Sequence, residues 1–382
     1  MNAIINGKIV TETEVLENKV LLYNDKLLEF RDQSPADELL HTCEEIIDAK
    51  GSYVSPGFID MHIHGSGGHD VMDGTVESLT AISKIVAQNG VTGFLPTTMT
   101  MSKKKIYSAL DNIRLMMGKE IPGAKILGAH LEGPFINKEY KGAQAEAYII
   151  DPSFSFIEDY LDVIRIITLA PEADENFNFI SEVKEKTNII LSIGHSTADY
   201  DQAKEAIKKG ISHATHMFNA MTPLNHRKPG IVGAVLDSDI YCELIADKIH
   251  VHPVIFKIIE AVKGIDKIIL ITDCMRAGSL NDGISELGGQ KVIIENNIAR
   301  LVDGTLAGST LKLNNAIKNF MECTGKGICE AVKTSSLNPA KELGINKQKG
   351  SLTVGKYSDM VILDEAFNVQ RTIVEGKTVF KI

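Results

Sequence analysis

The chain has little of what marks a membrane, secreted or nucleic-acid-binding protein. No apolar run approaches the roughly 20 residues of a membrane span, and the first ten residues, MNAIINGKIV, lack the basic-then-apolar pattern of a secretory signal. Forty basic against fifty acidic residues give a formal net charge of −10, which disfavours nucleic acid or an anionic membrane as the main partner. The cytoplasm is therefore the expected location.

Cysteine is also scarce and irregularly spaced. The five cysteines form no C-x-x-C pair, and an intracellular chain would keep such thiols reduced. Buried structural thiols are predicted at Cys43, Cys242, Cys274, Cys323 and Cys329. With 382 residues, of which 44% are hydrophobic, the chain can bury a large core, and one large domain plus a smaller one is expected.

The chain is rich in short apolar runs, and five of these end in an imidazole or a carboxylate. The five endings are His64, Glu132, His195, His216 and Asp273. There are eight strand-like runs in all, at 57–64, 90–97, 125–132, 163–170, 189–195, 213–218, 241–247 and 268–273. Helical periodicity lies between most of them, at 77–88, 102–117, 174–186, 199–209 and 253–263. Eight strands alternating with helices predict an α/β fold, a parallel (β/α)8 barrel of the TIM type.

Two segments depart from this rhythm. Residues 219–240 carry Pro223, Pro229 and glycines, so they are predicted to be an irregular functional loop rather than a crossover helix. Residues 291–304 are predicted to form a hairpin with its turn at Asn296-Asn297.

The two chain ends resemble each other rather than the barrel. Residues 1–54 and 350–382 offer short strands separated by turn signals and no long helix. They are predicted to pair into one small, discontinuous β-sandwich domain, with the barrel at 55–349 inserted into it. Two amphipathic segments, 310–323 and 328–343, are expected to complete the barrel.

The five endings can form one site, because side chains at the C-terminal strand ends of a parallel barrel converge on one mouth. His62 and His64 alternate on one strand and share a face, which suits one metal ion. Asp273, beside that strand, is placed to take a proton from metal-bound water or to ligate the same ion. A second ion would be held by the endings of strands three, five and six, with the carboxylate able to bridge both ions: Glu132, His195 and His216.

Each of these residues alone has a simpler explanation. An H-x-H pair is often a polar strand face, a lone histidine is often a hydrogen-bonded core residue, and a carboxylate at a strand end is often a loop cap. A joint metal site is favoured because all of these positions fall at predicted C-terminal strand ends of one barrel.

Seven segments together carry a family resemblance. They are PGFIDMHIHG (56–65), HLEGPF (130–135), GHS (194–196), ATHMFNAM (214–221), IADKIHVHP (245–253), ITD (271–273) and GTLAGS (304–309). The chain resembles the amidohydrolase superfamily and, within it, the N-acetylglucosamine-6-phosphate deacetylase family. The H-x-H pair is shared by many hydrolases, whereas the combination of HLEGPF, THMFNAM and LAGS is far more specific.

This resemblance implies a reaction and roles for individual residues. It implies metal-dependent hydrolysis of the acetamide of N-acetylglucosamine 6-phosphate to glucosamine 6-phosphate and acetate. Glu132, His195 and His216 match the family's main metal ligands, and Asp273 matches its general acid/base. One or two divalent ions per subunit (Zn, Fe, Mn or Co) are implied, and two are plausible because His62 and His64 are kept. The positions that match substrate-binding residues are Ala143, Asn219, Ala220, Arg227, Asp247, Lys248, Ile249, His250, Leu306, Ala307 and Gly308.

Three positions carry expectations of their own. His250 is suited to hydrogen-bond the substrate carbonyl or a neighbouring hydroxyl, with a catalytic role, unless it is only a surface histidine at a helix start. Arg227 offers a planar fork that matches phosphate geometry. In the family this arginine can come from the neighbouring subunit, which implies a homodimer. Some members have a histidine where Gln144 stands, so the role of this position is open.

Other activities remain as alternatives. The chain could act on the galactosamine epimer or on a cyclic amide. It could also be a noncatalytic scaffold. No lysine ends a strand where many cyclic amidases use a carboxylated bridging lysine, which disfavours the cyclic-amide branch. The intact set of metal-ligand residues disfavours the scaffold.

Overall fold

The computed structural model describes residues 1–34 and 38–382; positions 35–37 of the predicted terminal domain lie outside the described residues. The strands are β1 (Asn2–Val10), β2 (Val15–Tyr23), β3 (Leu27–Asp32), β4 (Glu45–Asp48), β5 (Tyr53–Pro56), β6 (Phe58–Ile63), β7 (Gly65–Ser66), β8 (His69–Asp70), β9 (Val91–Thr98), β10 (Lys125–Ile126), β11 (Ala129–Glu132), β12 (Ile164–Leu169), β13 (Ile190–Ile193), β14 (Ile211–Ala214), β15 (Tyr241–Ile245), β16 (Ile268–Ile271), β17 (Gly283–Leu287), β18 (Gln290–Glu295), β19 (Ile298–Leu301), β20 (Met360–Leu363), β21 (Val369–Val374) and β22 (Lys377–Lys381). The α-helices are α1 (Val76–Ala87), α2 (Lys103–Met116), α3 (Phe154–Ile157), α4 (Asn178–Lys186), α5 (Tyr200–Lys209), α6 (Gly230–Leu236), α7 (Pro253–Lys263), α8 (Leu313–Thr324), α9 (Ile328–Lys333) and α10 (Leu337–Glu342).

Eight parallel strands form the barrel, in the order β6, β9, β11, β12, β13, β14, β15 and β16. They correspond to the eight predicted runs, except that the sixth strand, β14, ends at Ala214 and not at residue 218 as predicted. The barrel closes beyond β16, where the Asp273 N–H donates to the His62 carbonyl at 2.9 Å and the His64 N–H donates to the Cys274 carbonyl at 2.8 Å. This closure brings the eighth strand end beside the first, as the sequence predicts.

The prediction for residues 219–240 is wrong in its second half, which forms helix α6. Pro229 directly precedes the helix, where its missing N–H leaves no intrahelical bond unmade. Gly233 sits inside the helix because a side chain there would collide with Pro229. The residues that suggested interruption therefore start the helix and allow it to pack closely.

The two chain ends form one mixed sheet, in the order β22, β21, β20, β5, β1, β2 and β3, with β4 also paired to β1. The predicted fold class, a barrel with a small β-domain built from both termini, is confirmed. The domain limits 1–54 with 350–382 and 55–349 stay a prediction. The hairpin is β18 and β19, and its turn residues Asn296 and Asn297 both have positive φ, at 53° and 62°. A third strand, β17, pairs with β18 and was not predicted.

The cysteines are less buried than the sequence suggests. Cys242 and Cys274 are buried, but Cys43, Cys323 and Cys329 are only half-buried, so the prediction for these three is wrong. Burial raises the pKa of the Cys242 thiol to about 12. In the part of the chain that the structure describes, no helix has the length and apolar character needed to cross a bilayer.

Candidate active site and metal centre

A cavity of about 340 Å³ lies at the C-terminal ends of the barrel strands. The structure brings most of the predicted site residues together around it. Those that line the cavity are His64, Glu132, Ala143, His195, His216, Asn219, Ala220, His250, Asp273, Leu306 and Gly308.

Glu132, His195 and His216 face one another at the floor of this cavity. Each histidine Nε2 lies 3.1 Å from Glu132 Oε1, and the two Nε2 atoms are 3.1 Å apart. The opposite ring nitrogens are already engaged, because His195 Nδ1 donates to the Tyr140 carbonyl at 2.8 Å and His216 Nδ1 donates to the Asn219 carbonyl at 3.2 Å. These bonds set the tautomer, so that both unprotonated Nε2 atoms point to the same place.

His62 and His64 repeat this arrangement on the other side of Glu132. Their Nε2 atoms are 3.3 Å apart and lie 3.4 Å from Glu132 Oε1 and 3.2 Å from Glu132 Oε2, respectively. Each Nδ1 again has an acceptor, Glu243 Oε2 at 3.0 Å for His62 and the Thr97 carbonyl at 3.2 Å for His64. Glu132 therefore stands between two imidazole pairs, with an oxygen available to each.

This donor set fits a divalent metal centre. Four imidazole nitrogens whose lone pairs face each other at 3.1–3.3 Å around a carboxylate need a cation between them. Both ligand sets, His62–His64–Glu132 and Glu132–His195–His216, have their donor atoms within 4.8 Å of one another. Without a cation, protonated histidines, His62 first, would outweigh burial and hold the pKa of the Glu132 carboxyl well below its usual value.

Asp273 borders the same space. Its Oδ1 lies 3.2 Å from His64 Nε2 and 3.5 Å from His62 Nε2. Burial opposes ionisation of this carboxyl, but His62 and His64 lower its pKa below the ordinary value. His195, His216 and Asp273 all have positive φ, at 50°, 28° and 48°, directly beyond the strands that precede them. Strained backbone held at three strand ends is typical of a functional site.

Loops form the remaining wall of the cavity. His250 is held by Asp247, whose Oδ2 accepts from His250 Nδ1 at 2.6 Å while Oδ1 accepts from the backbone N–H groups of Ile249 and His250, both at 2.8 Å. Ala307 is fully buried behind the lining, and its N–H donates to the Ala299 carbonyl at 3.1 Å. Asp247 thus supports the site through His250 and is not itself part of the lining.

Three further predicted residues have side chains that lie away from the cavity in this single chain. Arg227 is exposed on the loop that precedes α6. Lys248 pairs with Glu322 at 2.8 Å, and Ile249 is 39% exposed. Nothing in the described part of one chain brings these side chains into the cavity.

Sequence reasoning left the role of one site residue open and missed others. Gln144 lines the cavity, donates from Nε2 to Glu132 Oε2 at 2.6 Å and accepts from the Thr100 N–H, also at 2.6 Å. Glu243 and Asp60 are fully buried on β15 and β6 and hydrogen-bond around the site. Burial raises the pKa of the Asp60 carboxyl to about 7. The available signal was a single carboxylate inside a buried strand, in YCELI and FIDMHI.

Known proteins of similar sequence and structure share this architecture. The profile of the Amidohydrolase family matches residues 53–379. The chain is 41% identical over 381 residues to the N-acetylglucosamine-6-phosphate deacetylase of Bacillus subtilis, covering 97% of this chain and 95% of the relative. It is 34% identical to the N-acetylgalactosamine-6-phosphate deacetylase of Escherichia coli O157:H7, covering 96% and 99%. The crystal structure of N-acetylglucosamine-6-phosphate deacetylase from Pasteurella multocida superposes with a TM-score of 0.92 at 34% identity, covering 99% of both chains.

The family profile spans most of the chain, and relatives more than 30% identical align over nearly all of it. The site described above lies entirely within the matched region. The chain therefore belongs to the amidohydrolase family.

Proposed function

We propose that the chain hydrolyses the acetamide of N-acetylglucosamine 6-phosphate, releasing acetate and glucosamine 6-phosphate. The observation that carries the proposal is the convergence of four histidine Nε2 atoms and Asp273 around the Glu132 carboxylate in one cavity. The substrate is proposed from the 41% identical relative that bears the name of this activity. The proposed location is the cytoplasm, on the sequence pattern alone.

The histidines proposed to hold metal are those in which a hydrogen bond from Nδ1 already sets the tautomer of the ring. Glu132, His195 and His216 would hold one divalent ion, and His62 and His64, with Glu132 or Asp273, would hold a second. Zn, Fe, Mn or Co would suit such nitrogen and oxygen donors. When bound, the ion supplies Lewis-acid chemistry, polarising the acetyl carbonyl and lowering the pKa of a water toward about 7.

Asp273 is the proposed proton carrier. Its carboxylate borders the ligand sets, with 12% of the side chain exposed, so it would lie within reach of a water bound in the cavity. It would accept the proton of the attacking water. It would then return that proton to the sugar nitrogen, because an amine leaves far more readily than an amide anion.

His250 is proposed to orient the substrate. Its Nδ1 is engaged by Asp247 at 2.6 Å, so Nε2 is the nitrogen that could hydrogen-bond the carbonyl or a neighbouring hydroxyl. Ala143, Asn219, Ala220, Leu306 and Gly308 line the space beside it and would contact the sugar ring. In this proposal the loops after the strands select the substrate, while the strand ends carry the chemistry.

The phosphate needs a cation that this cavity does not supply from its own lining. The described residues that line it include the carboxylates Glu132, Glu139 and Asp273. They include no lysine and no arginine. Arg227 is the proposed phosphate ligand, and its exposed position on the loop before α6 suits contact with a second subunit. We therefore propose a homodimer in which this arginine reaches the partner's cavity.

The test is acetate release, with metal content measured on the same sample. We expect turnover of N-acetylglucosamine 6-phosphate and far slower turnover of the unphosphorylated sugar. Failure of the purified, metal-loaded chain to release acetate from any amino-sugar phosphate would rule the proposal out.

The galactosamine epimer is the second candidate substrate. It is favoured by one observation, the 34% identical relative from Escherichia coli O157:H7, of which the alignment covers 99%. A kcat/KM for N-acetylgalactosamine 6-phosphate above that for the gluco epimer would select this alternative.

A further inference from the structure

A line of buried acids and imidazoles runs away from the candidate metal centre through the barrel. Glu243 on β15 and His213 on β14 are both 0% exposed, and the Glu342 side chain at the end of α10 is 4% exposed. None of the three lines the cavity, and the mechanism proposed above uses none of them.

Glu243 touches both candidate ligand sets with one oxygen. Its Oε2 accepts from His62 Nδ1 at 3.0 Å and from the His216 backbone N–H at 2.9 Å. The first bond orients a ring of the His62–His64–Glu132 set. The second holds the strained backbone, at φ 28°, of a residue in the Glu132–His195–His216 set.

Glu243 is in turn held from the opposite side. Its Oε1 lies 3.2 Å from His213 Nε2, at an angle outside hydrogen-bond geometry, and His213 Nδ1 lies 2.9 Å from both oxygens of Glu342. Burial would lower the pKa of His213, but Glu342 and Glu243 outweigh it and raise it to about 10. A cationic ring between two carboxylates leaves Glu243 little freedom to rotate.

We propose that Glu243 is a positioning residue for both metal ligand sets, and that His213 and Glu342 hold it in place from behind. This inference rests on the proposed metal centre. Partners that orient a ligating histidine typically change metal affinity by about 10- to 100-fold when they are removed. Glu243 is unusual in serving one ligand of each set with a single oxygen atom.

The test measures Zn²⁺ affinity of the purified full chain by competition with a chromophoric chelator, with Zn²⁺ per chain from elemental analysis. Glu243→Ala removes the acceptor from both bonds, and we expect about 10- to 100-fold weaker Zn²⁺ binding. Glu243→Gln can still place an amide oxygen at the Oε2 position, but its amide nitrogen then faces His213 Nε2, so we expect it to restore part of the affinity. Glu342→Ala leaves Glu243 and every ligand residue in place, and we expect a smaller loss in the same direction.

Thermal unfolding of the metal-free variants separates positioning from a general structural role. Asp359→Asn is the matched control, because Asp359 is a buried carboxylate paired with Lys349 at 2.6 Å, outside the cavity lining. It should lower the melting temperature without changing Zn²⁺ affinity.

A folded Glu243→Ala variant with wild-type Zn²⁺ affinity would overturn the inference. If that variant does not fold, Glu342→Ala with wild-type affinity overturns it instead. A wild-type chain that takes up none of Zn²⁺, Fe²⁺, Mn²⁺ and Co²⁺ overturns the metal proposal itself, and this inference with it.

Discussion

The barrel and the terminal sheet differ in the ionisable side chains that they bury beside their apolar cores. Near the C-terminal ends of its strands the barrel buries imidazoles and carboxylates, among them His62, Glu132 and Glu243, at 0–2% exposure. The terminal sheet has an apolar core that includes Ile4 and Ile373, and its buried carboxylate Asp359 is paired with Lys349. Because a buried polar group destabilises the fold unless it is paired, the barrel tolerates this cluster only where each member has a partner. The cluster of imidazoles and carboxylates therefore lies in the barrel, apart from the apolar core of the terminal sheet.

The largest expected effect is the loss of a ligand from the barrel. His195→Ala should remove metal and lower kcat/KM by about 10³-fold or more, since a Lewis acid contributes several kcal/mol to the transition state and each ~1.4 kcal/mol is tenfold. Metal content and acetate release measure both. His252→Ala is the control, because that imidazole accepts from the Val254 N–H at the start of α7. A His195→Ala variant with full metal and full activity would remove the proposed site.

Asp273→Asn should lower the rate of hydrolysis while leaving the metal in place. Proton transfer matters mainly in the transition state, so we expect kcat to fall by about 10²- to 10⁴-fold with little change in KM. Asp303→Asn, which removes an exposed carboxylate next to the cavity-lining Thr305 loop, should leave kcat unchanged. A rise in KM alone would contradict the assigned role, and loss of metal would make Asp273 a ligand.

Arg227→Ala should affect only the phosphorylated substrate. A charge-assisted pair contributes roughly 1.5–3 kcal/mol, which corresponds to about 10- to 150-fold in kcat/KM. The unphosphorylated sugar, which has no partner for the guanidinium, should lose almost nothing. Lys228→Ala is the matched control in the same exposed loop. Equal losses on both substrates would mean that Arg227 supports the fold or the dimer.

Mixing two impaired variants tests whether Arg227 acts across a dimer. Arg227→Ala chains combined with Asp273→Asn chains should regain some activity, because a hybrid dimer contains one cavity with both groups intact. No regain after verified subunit exchange would place Arg227 in its own chain's site.

The smallest effect on catalysis is expected in the terminal sheet. Ile373→Ala empties a fully buried position and should lower the free energy of unfolding by about 2–5 kcal/mol. We expect Ile373→Val to cost only about 0.5–1.5 kcal/mol, and both variants to keep wild-type kcat/KM while folded. Denaturant titration and acetate release check the two parts. A large drop in kcat/KM for the folded Ile373→Ala chain would show that the terminal sheet also affects catalysis in the barrel.

Periodicity predicted the barrel well because parallel strands are buried on both faces and read as short apolar runs. It also predicted which residues meet, since the topology alone brings C-terminal strand ends together. It failed at α6, where Pro229 and Gly233 looked like interruptions but act as a helix start and a close contact. Local pattern cannot distinguish these roles, because the packing partner of Gly233 decides which one applies.

The sequence by itself determined the strand count, the alternation with helices and the His, Glu and Asp endings, since these depend on local spacing. Only the tertiary structure decided that Gln144 bonds Glu132, that Glu243 serves His62 and His216 with one oxygen, and that Arg227 stays outside its own cavity. The physical reason is that hydrogen bonds depend on the positions, to within a fraction of an angstrom, of side chains far apart in the chain. The spacing of residues along one strand does not determine these positions.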